Sequence, residues 1–162
     1  MAGFIEADGN FYLNWKYSEK FHRENIISII YYLRLSQKQI YNRKIDLNLK
    51  KSNFDIMFIK SEFVKTSVVS LKRKRINYEE NAYLIETDII ESKNAIFAYL
   101  NKYPLFGYKY FAHLNLGMIH NLIIKSEHKT QIGKLKFIKY VDLMKYNSEI
   151  YNWEHLNKFY IL

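Results

Sequence analysis

Hydrophobic and polar positions change period several times along this chain, and each change marks an element. Residues 1–8, MAGFIEAD, are small and apolar and read as a short helix, which Gly9 ends in the left-handed conformation. Beyond it the period drops to two: Phe11, Leu13 and Trp15 alternate with Asn10, Tyr12, Asn14 and Lys16, as in a strand with one apolar face. After the polar stretch SEKFHREN, Ile29, Tyr31, Leu33 and Leu35 alternate with Ser28, Ile30, Tyr32, Arg34 and Ser36, which completes a hairpin. Residues 38–51 are polar and carry no clear period. Ser52 with Asp55 resembles a capping box and opens a helix through Val64. Thr66–Arg75 and Ala82–Ile89 predict a second hairpin around INYEEN, and Ser92 caps a helix that ends near Pro104. Phe111, Leu114, Met118 and Leu122 fall at helical spacing, as do Phe137, Val141 and Met144. The order predicts an α+β domain, a four-stranded antiparallel sheet covered by helices on one face.

The uncovered face must then meet water or a ligand. It carries Asn10, Tyr12, Asn14, Lys16, Arg34 and Ser36, with Lys72 and Lys74 as further candidates. Long polar and basic side chains on a β-ribbon suit the major groove, where each base pair shows its own donor and acceptor pattern. A plain solvated face is the alternative. The net charge of +9 favours an anionic partner. A length of 162 residues with 49% hydrophobic content suits one domain with its own core. Cysteine is absent, which removes disulfides and thiolate metal sites. No apolar run approaches the ~18 residues of a membrane span, and the acidic start is unlike a targeting peptide, so no membrane partner is expected. Richness in Ile, Lys, Asn and Tyr, with a single Pro, matches A/T-biased codons of organellar and some bacterial genomes. Part of the Lys excess can therefore reflect codon bias.

The opening helix has chemistry of its own. Gly3 and Ala7 share a face, with Ala2 beside them, and small residues four apart let two helix backbones approach closely. About eight residues are too few for a stable isolated helix, so packing must hold it. Asp8 falls at the negative end of the helix dipole, where a carboxylate is disfavoured. A second copy of the helix would bring a second carboxylate. Divalent metals with oxygen ligands, Mg²⁺ or Mn²⁺, would offset both penalties. Two acids holding metals over a basic surface describe a phosphodiesterase. An ordinary turn at Asp8-Gly9 is the alternative.

The nonapeptide M-A-G-F-I-E-A-D-G (1–9) resembles the LAGLIDADG signature of homing endonucleases and group I intron maturases, with six of nine positions identical. L-R-L-S-Q-K (33–38), K-Y-P-L-F-G-Y-K-Y (102–110) and S-E-H-K-T-Q-I-G (126–133) resemble further family landmarks, leaving about 38–51 as a weakly matched insertion. The resemblance implies an αββαββα fold over residues 1–162, with a saddle-shaped sheet straddling double-stranded DNA. Two signature helices, from a homodimer or from two LAGLIDADG halves of one chain, would meet at the centre. It implies Asp8 as metal ligand, Ala7 as a backbone-carbonyl ligand and Glu6 as a structural acid. Gln37 matches the residue that organises active-site water, and Lys109 the basic residue that stabilises phosphate charge. DNA contacts fall on Asn10, Tyr12, Asn14, Lys16, Arg34, Ser36 and Lys38, with Lys72, Arg73, Lys74 and Arg75 of undecided orientation. His113, His120 and His128 are expected to pack or face solvent rather than bind metal.

Two activities fit the resemblance. One is a site-specific, metal-dependent DNA endonuclease that spreads its intron; the other is a maturase that folds group I intron RNA without catalysis, using aromatics such as Tyr12, Tyr17 and Tyr32. An intron-borne reading frame of this composition is expected in a mitochondrion. The motif begins at residue 1, where relatives carry a lead-in turn. The expectation is an upstream start, the C-terminal half of a two-motif protein, or a fragment.

Overall fold

The change of period at Gly9 is a handover from helix to strand. In the computed structural model, which describes residues 1–18, 25–41, 51–74, 76–146 and 154–159, helix α1 (Ala2–Asp8) runs directly into β1 (Asn10–Ser18). Strand β2 (Asn25–Lys38), a small ribbon of β3 (Ile40–Tyr41) and β4 (Lys51–Ser52), and helix α2 (Phe54–Phe63) follow. Then come β5 (Val69–Lys74), β6 (Glu79–Glu86), α3 (Ile90–Lys102), α4 (Tyr108–Ile124) and α5 (Gln131–Tyr146). Short 3-10 turns lie at Glu127–Lys129 and Glu154–Phe159. The four long strands form one antiparallel sheet in the order β1-β2-β6-β5, as the alternation predicts. Most of the SEKFHREN turn, residues 42–50 and Arg75 lie outside the described residues.

Contacts divide the chain into two compact units. One gathers Met1 and the described residues of 3–10 and 32–99, the other Ala2 and the described residues of 11–31 and from Leu100 onward. In the first unit, Leu33 and Leu35 of β2, Ile85 of β6, Met57 and Val64 of α2 and Ile5 of α1 are buried. Removing such a side chain from water is worth about 1.5–3 kcal/mol. Phe54 meets the Tyr83 ring edge-on, with centroids 5.5 Å apart, which seats α2 on β6. The Leu33 N–H donates to Thr87 Oγ1 (2.9 Å) and the Thr87 N–H to the Leu33 carbonyl (3.1 Å), closing the end of the β2–β6 ladder.

In the second unit, Ile119, Leu122, Phe137 and Val141 from α4 and α5 make a buried cluster, and Leu13, Trp15 and Ile29 pack on it. Trp15 meets Phe137 edge-on at 5.6 Å. The period-two reading of β1 and β2 and the helical reading of Phe137, Val141 and Met144 therefore hold. The α4 face differs from expectation. Leu114 and Met118 are exposed, and the buried side runs through Lys109, His113, Leu116, Ile119 and His120. Two histidines can occupy that side because each finds a partner there. Tyr31 Oη lies 2.6 Å from His120 Nδ1, and His113 sits against the Phe11 ring with Nε2 3.3 Å from Asn101 Oδ1. Burial pushes the Tyr31 phenol up to about 12 and the His113 imidazole down to about 4.

Three terminus readings are also corrected. Gly9 is extended (φ −73°, ψ 145°) rather than left-handed. Its role is spatial: a Cβ there would lie 2.6 Å from the Ile5 carbonyl oxygen and 2.8 Å from Ile5 Cγ2. Ser52 does not form a capping box; its Oγ accepts only from the Phe54 N–H (3.1 Å), and Asn53 occupies the N-cap. Ser92 lies inside α3 and donates to the Ile89 carbonyl (2.9 Å), because the helix already starts at Ile90.

Gly9→Ala is expected to lose about 1–3 kcal/mol of stability in urea unfolding, the usual cost of overpacking. The His113 shift sets a pH dependence. With the folded value at about 4 and the unfolded value at 6.5, the unfolded chain binds the extra proton between them. Stability is thus full above pH 6.5 and falls as pH drops toward 4. Urea unfolding at pH 5 should show about 2 kcal/mol less stability from this residue than at pH 7.5, and His113→Phe should remove that component.

Candidate functional site

Helix α1 has only seven residues and depends on Ile5, which is fully buried. With that side committed, Gly3, Ala7 and Asp8 are exposed, and a Cβ built at Gly3 meets nothing within 4 Å. The small-residue face and the carboxylate therefore point away from the first unit. A cation beside this helix is one that sequence reading missed. Lys60 of α2 is half-buried, with Nζ 3.0 Å from the centroid of the Phe4 ring. Burial pulls its ammonium below the ordinary value, and the Asp8 charge opposes that shift. A lone Lys in the apolar run FDIMFIKSEF was the available signal.

Asp8 suits a hard divalent cation: its carboxylate is exposed at a helix end, next to backbone carbonyls. Among the described residues no group of three or more His, Asp or Glu could hold a metal. Gln37 is half-buried in β2, opposite Tyr83 of β6, on the side of the strand that carries Leu33 and Leu35. Lys109 belongs to the second unit, in the first turn of α4, and is only 8% exposed. His113 and His120 pack as expected, and His128 is half-buried with Nδ1 3.3 Å from the Leu122 carbonyl.

On the sheet, register decides which basic residues share a face. Arg34 opposes Glu86, Ser36 opposes Leu84 and Lys38 opposes Ala82, while Leu71 opposes Ala82 and Arg73 opposes Glu80. Arg34, Ser36, Lys38 and Arg73 therefore lie on one face, and Arg73 hydrogen-bonds the Ser36 hydroxyl. Lys72 and Lys74 point to the other side, where Lys72 pairs with Glu79 (2.8 Å), so they leave the set of candidate readers. On β1, Asn10, Tyr12, Asn14 and Lys16 alternate with Leu13 and Trp15, which pack on the helices of the second unit.

The face is less basic than the composition suggests. Glu86 meets Arg34 at 2.6 Å and Glu80 meets Lys38 at 3.2 Å. Neither acid was picked out from sequence. Their signal was positional: both fall in β6, the strand between the two basic ones.

A sequence profile described as LAGLIDADG endonuclease matches residues 1–120. Solved structures share the fold. The homing endonuclease I-TnaI aligns at TM-score 0.57 and 16% identity over 97% of this chain and 90% of that one. I-LtrWI bound to target DNA aligns at 0.57 and 22% identity over 90% and 43%, and I-SmaMI bound to cleaved DNA at 0.56 and 22% over 86% and 40%. This chain thus spans less than half the length of the last two. By the match over residues 1–120, the chain belongs to the LAGLIDADG endonuclease family.

Proposed function

We propose that this chain is one half of a site-specific DNA endonuclease, which hydrolyses phosphodiesters with a divalent metal after pairing with a second LAGLIDADG half. The observation that carries the reading is α1. An exposed carboxylate stands at the end of a helix whose Gly3 side is open, so a second helix can approach and bring the second acid. The relatives captured on target and cleaved DNA support the substrate class. Asn10, Tyr12, Asn14, Lys16, Arg34, Ser36, Lys38 and Arg73 supply donors and acceptors toward the duplex. Mg²⁺ or Mn²⁺ held by Asp8 and by the Ala7 carbonyl supplies Lewis acidity when bound. Gln37 and Lys109 are the chain's candidates for orienting water and offsetting phosphate charge.

The test is a DNA duplex spanning the uninterrupted host gene of the intron. Wild type should cut it in Mg²⁺ and bind without cutting in Ca²⁺, and Asp8→Asn should bind but lose at least a hundredfold in cleavage. Binding without cleavage, together with faster splicing of the intron RNA, would replace this reading with the maturase one. Gly3→Leu should leave the fold intact by circular dichroism yet sediment as a monomer and fail to cut. An active monomer would overturn the pairing.

A further inference from the structure

Arg73 lies on the candidate DNA face beside Ser36, and the alternation of β5 carries Val69 and Leu71 to the same side. The register sets Val69 opposite Leu84 and Leu71 opposite Ala82. The same two residues of β6 lie opposite Ser36 and Lys38 of β2. Ser70 and Lys72 turn the other way: Ser70 Oγ accepts from Gln39 Nε2 at 2.6 Å, and Lys72 meets Glu79. Val69, Leu71, Ala82 and Leu84 thus form an apolar island on an otherwise polar face. Arg34 with Glu86 borders it at one end, and Arg73, Lys38 and Glu80 at the other. Leu84 and Ala82 are buried, whereas Val69 and Leu71 stay 52% and 37% exposed.

The apolar side chains of this sheet unit otherwise sit on the opposite face, where Leu33, Leu35 and Ile85 are buried. β5 is an edge of the sheet, and apolar side chains exposed on an edge strand are a liability. A ligand with apolar groups of its own would cover them. Basic residues at both ends of the island suit a polyanion, and its continuity with Ser36 and Arg73 places it within the candidate DNA interface. The apolar group that a base pair presents in the major groove is the C5-methyl of thymine. Val and Leu carry no side-chain donor or acceptor, so a methyl contact is the base readout open to them. Two residues of strand rise about 6.8 Å, which equals about two base-pair steps for a strand laid along the groove. We propose that Val69 and Leu71 are specificity-determining residues that pack on thymine C5-methyl groups of the DNA target. This rests on the DNA reading above and adds to it a base preference and the residues that set it.

The experiment is competition binding in Ca²⁺ at fixed salt, on the duplex spanning the uninterrupted host gene, with each thymine replaced in turn by deoxyuridine. That replacement removes the methyl group and keeps the base pairing. Wild type should bind about fourfold more weakly at one or two thymines, the fold-change for one apolar carbon withheld from burial. The double variant Val69→Ala/Leu71→Ala should bind the unmodified duplex more weakly and lose the sensitivity to deoxyuridine at those positions. Its affinity for random-sequence DNA should stay within twofold of wild type, since no charge is removed. Both side chains are exposed, so circular dichroism and urea unfolding should match wild type. Leu71→Met, which restores apolar reach, should keep the sensitivity. If wild type binds the target selectively but no deoxyuridine weakens it, the proposal is overturned and the DNA reading stands. Sensitivity that persists in the double variant also overturns it, because the methyl groups are then read elsewhere. A double variant that changes sedimentation but not the deoxyuridine profile makes the island a protein–protein surface and overturns it as well. If wild type does not prefer the target over random-sequence DNA, the DNA reading fails together with the proposal.

Discussion

The carbonyl oxygen of Ile5 and a side chain at position 9 cannot both occupy the same space, and the geometry of the first ten residues follows from this. With no side chain, Gly9 lets the chain leave α1 in an extended conformation and enter β1 within one residue. Its N–H still reaches the Ile5 carbonyl at 2.9 Å, so the helix end is satisfied as the strand begins. Ile5 is then buried under the turn, and Asp8 is carried to the exposed end of the helix. A helix of this length has no stability of its own. Its position is borrowed from the buried Ile5 and from Lys60 over Phe4, and its Gly3 side stays exposed.

The sheet shows how acids can be interleaved with bases in a chain of net charge +9. β6 lies between the strands that carry Arg34 and Lys38 on one side and Arg73 on the other, and it places Glu80 and Glu86 among them. Each acid offsets a neighbouring positive charge: Glu86 meets Arg34 at 2.6 Å and Glu80 meets Lys38 at 3.2 Å. Lys72 and Lys74 lie on the opposite side of the strand, where Lys72 pairs with Glu79.

Polar groups inside the second unit follow the same economy of partners. His120 lies within hydrogen-bonding distance of Tyr31 Oη, and His113 is kept neutral by burial between an aromatic ring and an amide oxygen. The stacking of His155 on Tyr110 at 3.9 Å, with Nε2 3.2 Å from the Leu105 carbonyl, ties residues 154–159 to the start of α4 in the same way. These imidazoles serve packing.

The sequence by itself determined the order of elements, the apolar faces of β1 and β2, the helix carried by Phe137 and Val141, and through its first nine residues the family. Those are local properties: a period of two or 3.6, or a run of residue types, survives in one dimension. Tertiary structure decided what depends on a neighbour. Cross-strand register sent Arg73 to one face and Lys72 and Lys74 to the other, and it joined Arg34 to Glu86 across 52 residues. The buried side of α4 was set by what lay opposite it, so Tyr31 and Phe11 admitted two histidines where the apolar spacing pointed to Leu114 and Met118. Lys60 entered the picture only because α2 passes beside α1. A side chain's direction belongs to its own strand or helix, but its partner and its charge environment belong to the fold.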